Sequence, residues 1–289
     1  MKRMIVLCMV FFVSAFLFSY EYIMNTNPTG IGSLTGDMKI TTWTPNPDDG
    51  YADLAIPVVN QFYYYGKLTT HLRIFTNGVV HLFSGSTSLT SGTAGNYSIP
   101  FPGSNPNNIV APLWDDWDLT TTGAVYFKIY QSGSYNYITV EWRSVPRFGY
   151  PGTAYSFAVT FVCETHPNLP NTIIFTYPDV ESANASYDYG KDATVGIENS
   201  TGTIGEQYSY NEAIVSNGQR ITFTPFVPIY GSTTDHVGTD GKPAAVIVRP
   251  SNGTWYFKHS DGGTLSFQCG TKGDVAIPGD YDGDGDADE

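Results

Sequence analysis

At 289 residues the chain is long enough for one large, well-buried β domain and a second, smaller unit. Its 27 acidic against 14 basic residues give a formal net charge of −13, so a phosphate backbone or an anionic membrane surface would be repelled over most of the molecule, which excludes nucleic acid as a partner. Charged residues make up only 14% while aromatics reach 15%, with Tyr, Thr, Ser, Asn and Gly where a cytosolic protein carries Lys and Glu; this is the composition of an extracellular β protein.

Residues 1–19 read as a secretory signal, with Lys2 and Arg3 ahead of the apolar run Met4 to Phe18. The run is short for a membrane span. Its cleavage site is poorly defined, because Ser19 is small but Leu17 is not, and an uncleaved N-terminal anchor is the alternative. The expected location is therefore secreted or cell surface, with membrane contact only if the segment stays attached. Residues 20–48 read as an N-terminal extension.

From Asp53 to Phe226 no helical periodicity is sustained, whereas short alternating runs bounded by Gly, Pro, Asn and Asp recur. The pattern predicts an all-β fold, an antiparallel β-sandwich of many short strands. Asn77-Gly78, inside Arg73 to Phe83, predicts a tight hairpin turn with two positive-φ residues. Ala94 to Asn108, rich in Gly, Pro, Asn and Ser, predicts a surface loop. Strands follow where Val125, Phe127 and Ile129 share a face, as do Ile138, Val140 and Trp142, then Ile173, Phe175 and Tyr177, and finally Ile221 and Phe223. Cys163 ends the alternation Tyr155, Phe157, Val159, Phe161, which makes it a small core residue, and a disulfide to the distant Cys269 is not expected.

The densest candidate site in this stretch is Trp114-Asp115-Asp116-Trp117-Asp118, where three carboxylates beside two indoles suit a cation or a stacked sugar ring. The competing reading puts the indoles in the core and the carboxylates on a turn after the strand Ile109 to Leu113. The five histidines carry no metal-ligand spacing and no Gly-x-Ser-x-Gly elbow occurs. Nothing fixes the separation of Glu141 and Glu198, which would matter for a glycosidase pair. The expectation is a protein that is not an enzyme.

Several ordered motifs in this region, Tyr51-Ala-Asp-Leu-Ala-Ile-Pro57, Ile74-Phe-Thr-Asn-Gly-Val-Val80, Ile109-Val-Ala-Pro-Leu-Trp-Asp-Asp-Trp-Asp118, Gly123-Ala-Val-Tyr126, Val140-Glu-Trp142 and Thr194-Val-Gly-Ile-Glu198, resemble the nidogen-like extracellular β domain of bacterial secreted proteins. The resemblance covers residues 49–227 and implies adhesion or matrix-type interaction rather than chemistry. Residues 228–234, within a stretch carrying two prolines and a glycine, read as a linker.

The chain closes on Gly279-Asp-Tyr-Asp-Gly-Asp-Gly-Asp-Ala-Asp-Glu289. Counting Asp280 as loop position 1, Asp282, Asp284 and Asp288 fall at 3, 5 and 9, Gly285 permits the sharp turn at 6, and Asp286 offers its carbonyl at 7. So many carboxylates converge only around a cation, and a flexible oxygen cage favours calcium. With Val248-Arg-Pro-Ser-Asn-Gly-Thr-Trp-Tyr256, this loop resembles the FG-GAP-like or VCBS-type repeat. That resemblance spans residues 235–289 and implies a small β-repeat, a single propeller-blade-like unit that is incomplete as one copy, with calcium in its acidic loop. The equivalent earlier loop, His236 to Ala244, keeps only Asp240 and is expected to hold no metal.

The whole reads as a secreted, non-enzymatic binding or adhesion protein with a calcium-stabilised C-terminal repeat, whose partner is an extracellular protein or glycan surface. The alternative is the accessory, non-catalytic region of an exported hydrolase, carbohydrate-binding in character; a true hydrolase built on the Trp114 to Asp118 patch is the third.

Overall fold

The structure, a computed structural model, describes residues 21–26, 37–89, 94–102, 106–133, 135–163, 171–182 and 184–226, and the backbone of three strands within 245–268. Residues 1–19, expected to be a secretory signal, and the loop Asp280 to Asp288 lie outside the described residues. The chain divides into two compact units, Met1–Phe226 and Val227–Glu289.

The described residues of the first unit form fifteen strands: β1 (Glu21–Asn25), β2 (Met38–Lys39), β3 (Tyr51–Ala55), β4 (Phe62–Tyr64), β5 (Lys67–Thr69), β6 (His71–Phe75), β7 (Val80–Phe83), β8 (Ile109–Trp114), β9 (Ala124–Ser132), β10 (Tyr135–Arg147), β11 (Tyr150–Val162), β12 (Ile173–Asp179), β13 (Thr194–Glu198), β14 (Gly205–Tyr210) and β15 (Arg220–Phe226). One sheet runs β1-β15-β12-β11-β10-β9-β2 and the other β14-β13-β8-β7-β6-β3, with β4-β5 as a separate ribbon. All pairings are antiparallel. The sequence expectation of an antiparallel β-sandwich is met.

Period-two alternation puts one face of each sheet into a common core. Leu72, Ile74, Val80, Leu82 and Val110 from one sheet meet Ile138, Val140, Trp142, Phe157, Phe161 and Phe175 from the other. Cys163 is a free, buried thiol in this cluster, and burial pushes it up to about 12. Aromatic side chains also tie the sheets by hydrogen bonds: the Trp142 indole donates to the carbonyls of Phe75 and Thr76 at 3.1 and 3.0 Å, and the Tyr177 hydroxyl to Pro112 at 2.7 Å. A second, smaller cluster of Phe75, Val79, Leu89, Ile99, Ile109, Ala111 and Trp114 lies on the opposite face of the six-stranded sheet.

Two expectations are corrected. Residues 20–48 read as an extension, but the strands described within them belong to the sandwich: β1 pairs along its whole length with β15 and β2 pairs with β9. The Asn77-Gly78 hairpin forms, but only Gly78 has positive φ, at 74°. Phe75 N–H bonds the Val79 carbonyl at 2.9 Å, leaving the three-residue loop Thr76 to Gly78. Asn77 is fully buried with its side chain turned inward, so it serves contacts rather than the turn itself.

In the second unit, β16 (Ala245–Arg249), β17 (Thr254–Lys258) and β18 (Thr264–Gln268) form an antiparallel meander, with Val248 opposite Trp255 and Tyr256 opposite Ser266.

Candidate functional site

Three loops meet at one end of the six-stranded sheet: Asn46 to Gly50 before β3, Thr76 to Gly78 between β6 and β7, and Asp115 to Asp118 after β8. The first is a side-chain-capped turn. Asn46 Oδ1 accepts from the backbone N–H groups of Asp48 and Asp49 at 2.9 and 3.1 Å. A Cβ at Gly50 would lie 1.9 Å from the Asn46 carbonyl oxygen, so only glycine lets this turn close. Thr76 Oγ1 donates to the Asp48 carbonyl. Asn77 then locks the three loops together: its amide donates to Asp49 Oδ1 at 2.9 Å while its oxygen accepts from Trp117 N–H at 2.9 Å.

The outcome is a convergence of carboxylates. Oxygens of Asp48, Asp49 and Asp116 lie within 4.8 Å of one another. Asp48 Oδ1 is buried with no hydrogen-bond partner. Burial, then the charges of Asp49, Asp118 and Asp116, push the Asp48 carboxyl up to about 6. Asp116 is raised for the same reasons, burial first, with Arg147 pulling the other way. Among the described residues Asp48, Asp49 and Asp118 have no ion pair, and Arg147 reaches the cluster at Asp116 while also serving Asp115 and Asp192.

Arg147 comes from β10 just beyond two register shifts in its pairing with β11, irregularities of the kind that locally bend a strand. Its guanidinium fans out to Asp115 Oδ2 at 2.9 Å, Asp116 Oδ2 at 3.4 Å and Asp192 Oδ2 at 3.2 Å. Asp115 is 4% exposed and also accepts from Asp116 N–H at 2.7 Å. Burial raises its carboxyl to about 7, further than Arg147 lowers it. One guanidinium thus faces a group of carboxylates that strongly outnumbers it, an electrostatic setting that favours an added cation.

The Trp114 to Asp118 segment is divided by this geometry. Trp114 and Trp117 are each 1% exposed, so neither indole offers a face to a ligand. Trp114 packs edge-on to Tyr97 at 5.7 Å, and Trp117 lies against Tyr155 and Phe157 while donating to the Leu113 carbonyl at 2.9 Å. Asp115 is an internal partner of Arg147, and Asp118 caps its own turn by accepting from Thr120 N–H at 2.8 Å. Asp116 alone of the five joins the convergent cluster, beside Asp48 and Asp49, which sequence reasoning passed over. The available signal was the turn-forming Asn46-Pro-Asp-Asp-Gly50, with adjacent carboxylates between a capping Asn and a Gly. Glu141 and Glu198 sit in different sheets, the first paired with Arg143 at 2.6 Å and the second 1% exposed with Phe101 N–H at 2.9 Å.

The family model for NIDO-related domains matches residues 21–234. The chain belongs to that nidogen-related family. The match begins at β1 and takes in every strand of the first unit, in agreement with β1 completing the seven-stranded sheet. Comparison with curated proteins and with solved structures returned no match. Among the described residues no helix is long and apolar enough to cross a membrane.

Proposed function

We propose that this nidogen-related chain is a secreted or surface-displayed, non-catalytic recognition protein that binds an extracellular protein or glycan surface and uses calcium as its structural ion. The observation that carries the calcium part is the meeting of Asp48, Asp49 and Asp116 oxygens within 4.8 Å, with Asp48 Oδ1 buried and unpartnered. Hard carboxylate oxygens suit calcium, which accepts six to eight oxygen ligands with loose geometry. The ion would fix the loops around Asn46 to Gly50 and Asp115 to Asp118, and loops held on a rigid sandwich are where such domains place their contacts. Family membership supports the extracellular binding role. The acidic loop with Asp280, Asp282, Asp284, Asp286 and Asp288 supplies a second calcium site in the C-terminal unit, as an FG-GAP-like or VCBS-type repeat would.

Isothermal titration of the full chain with calcium tests this, alongside Asp48→Asn with Asp116→Asn and, separately, Asp282→Ala with Asp284→Ala. Each pair is expected to remove one class of sites. Full binding in the first pair would remove the sandwich site; an isotherm flat up to millimolar calcium in the unaltered chain would sink the calcium assignment altogether.

A further inference from the structure

At the other end of the six-stranded sheet the chemistry changes. The C-terminal end of β7, the residues leading into β8 and the turn after β13 enclose a cleft of about 340 Å³. That lies within the range of small-molecule sites, at its lower end. Among the described residues that line it there is no Asp, Glu, Lys or Arg, in a chain whose net charge is −13.

The floor is His81 and Phe83. His81 is 9% exposed and both ring nitrogens are used, Nδ1 against the Asn107 carbonyl at 3.0 Å and Nε2 against Thr87 Oγ1 at 3.0 Å. A carbonyl only accepts, so Nδ1 carries the proton; Thr87 Oγ1, which accepts from Leu89 N–H at 3.2 Å, is free to donate to Nε2. Burial lowers the imidazole's affinity for a second proton, which keeps the floor neutral. Phe83 stands near-parallel to His71 and His81, with centroids 5.1 and 5.7 Å away. The neighbouring cation, Arg73, is neutralised by Asp53 through two bonds of 2.7 Å and capped by the Tyr51 ring at 3.8 Å, so it projects no free charge into the cleft.

The walls carry hydroxyls and amides. Ser86 and Ser88 are exposed on the rim. Ser200 is oriented by Lys67 Nζ at 3.0 Å. Asn107, which also lines the cleft, keeps a buried Oδ1 without a hydrogen-bond partner. Side-chain hydroxyls and amides both donate and accept, as sugar hydroxyls do, while the described lining carries no charged side chain of its own, the adjacent amine being Lys67 Nζ, which donates to Ser200 Oγ.

The geometry points to this cleft as a binding site for a neutral saccharide of one or two rings. The inference deepens the recognition reading above, on which it rests, by giving it a place and a ligand class, and it moves sugar binding away from the buried indoles of Trp114 and Trp117.

Saturation-transfer NMR on the full chain with a panel of neutral disaccharides (maltose, cellobiose, lactose and chitobiose) at millimolar concentration tests it, with glucuronic acid as the charged comparator. Transfer to at least one neutral sugar is expected, unchanged by EDTA, and reduced about tenfold or more in affinity by Ser86→Trp with Ser88→Trp, which fill the cleft from exposed positions. Far-UV circular dichroism and melting of that variant confirm that it folds. Equal binding by the folded variant, transfer to glucuronic acid alone, or loss of transfer on chelation would each overturn the cleft as the site. Silence across the panel would overturn the ligand class while leaving the calcium titration to judge the recognition reading separately.

Discussion

The two ends of the six-stranded sheet use the same strands for opposite electrostatics. At the end formed by the starts of β3 and β7, carboxylates of Asp48, Asp49 and Asp116 crowd together and Arg147 is shared among Asp115, Asp116 and Asp192. At the end formed by the finish of β7 and the start of β8, Arg73 is matched by Asp53 and a cleft opens whose described lining carries no charged side chain. An antiparallel sheet makes this separation simple, since successive turns alternate between its ends. Carboxylates crowd together at one end and stand apart at the other, and perturbation should report the difference.

The largest effect is expected at Arg147. Arg147→Met leaves the buried Asp115 carboxylate without its cation and should cost about 3 kcal/mol in urea unfolding at pH 8. The loss should shrink at pH 5, below the value of about 7 to which burial raises Asp115, because the carboxyl then takes up a proton. An equal loss at both pH values would break the assignment of strain to that carboxylate.

Asn77→Ala comes next. It removes the amide bridge between Asp49 and Trp117 N–H from a fully buried position and should cost about 2 kcal/mol, read by thermal melting; a change below half of that would mean the loops hold without it.

Glu198, on the uncharged side, gives a pH test. Burial raises its carboxyl from 4.5 to about 7, so the folded state holds this proton more tightly than the unfolded chain does. Its contribution is therefore complete below about 4.5 and lost as pH rises through about 7. Glu198→Gln retains an acceptor for Phe101 N–H, and should be more stable than the parent at pH 8 by on the order of 2 kcal/mol and no more stable at pH 4. A constant offset between the two denaturation-versus-pH curves would refute it.

The smallest effect belongs to the cleft rim. Ser86→Trp with Ser88→Trp should move stability by less than about 0.5 kcal/mol in the absence of sugar, as exposed positions do; a larger loss would show that the rim packs more closely than its exposure indicates.

The sequence made the sandwich legible because side chains such as Ile138, Val140 and Trp142 must repeat every second residue to share a buried face, and they do so without help from distant parts of the chain. β1 escaped because Glu21 to Asn25 follows closely on the apolar run Met4 to Phe18 and its partner β15 is the last strand of the domain. The Trp114 to Asp118 segment was visible as a dense patch, but its division was not: Asp116 finds Asp48 and Asp49 only through the buried amide of Asn77, and a contact between loops leaves no trace in local spacing. The cleft was illegible for a different reason. Ser86, Ser88 and Ser200 are ordinary loop residues until the sheet brings them to one end.

The pairing of β1 with β15 also sets an order of events. Residues Glu21 to Asn25 are made first, yet their partners Thr222 to Phe226 come last in the domain, so the edge of the seven-stranded sheet stays open until nearly the whole stretch has emerged. A chain delivered N-terminus first, from a ribosome or across a membrane, cannot seal this domain early. Closure over so long a loop is slow, and a fold that waits for its final strand remains threadable for as long as it is being threaded.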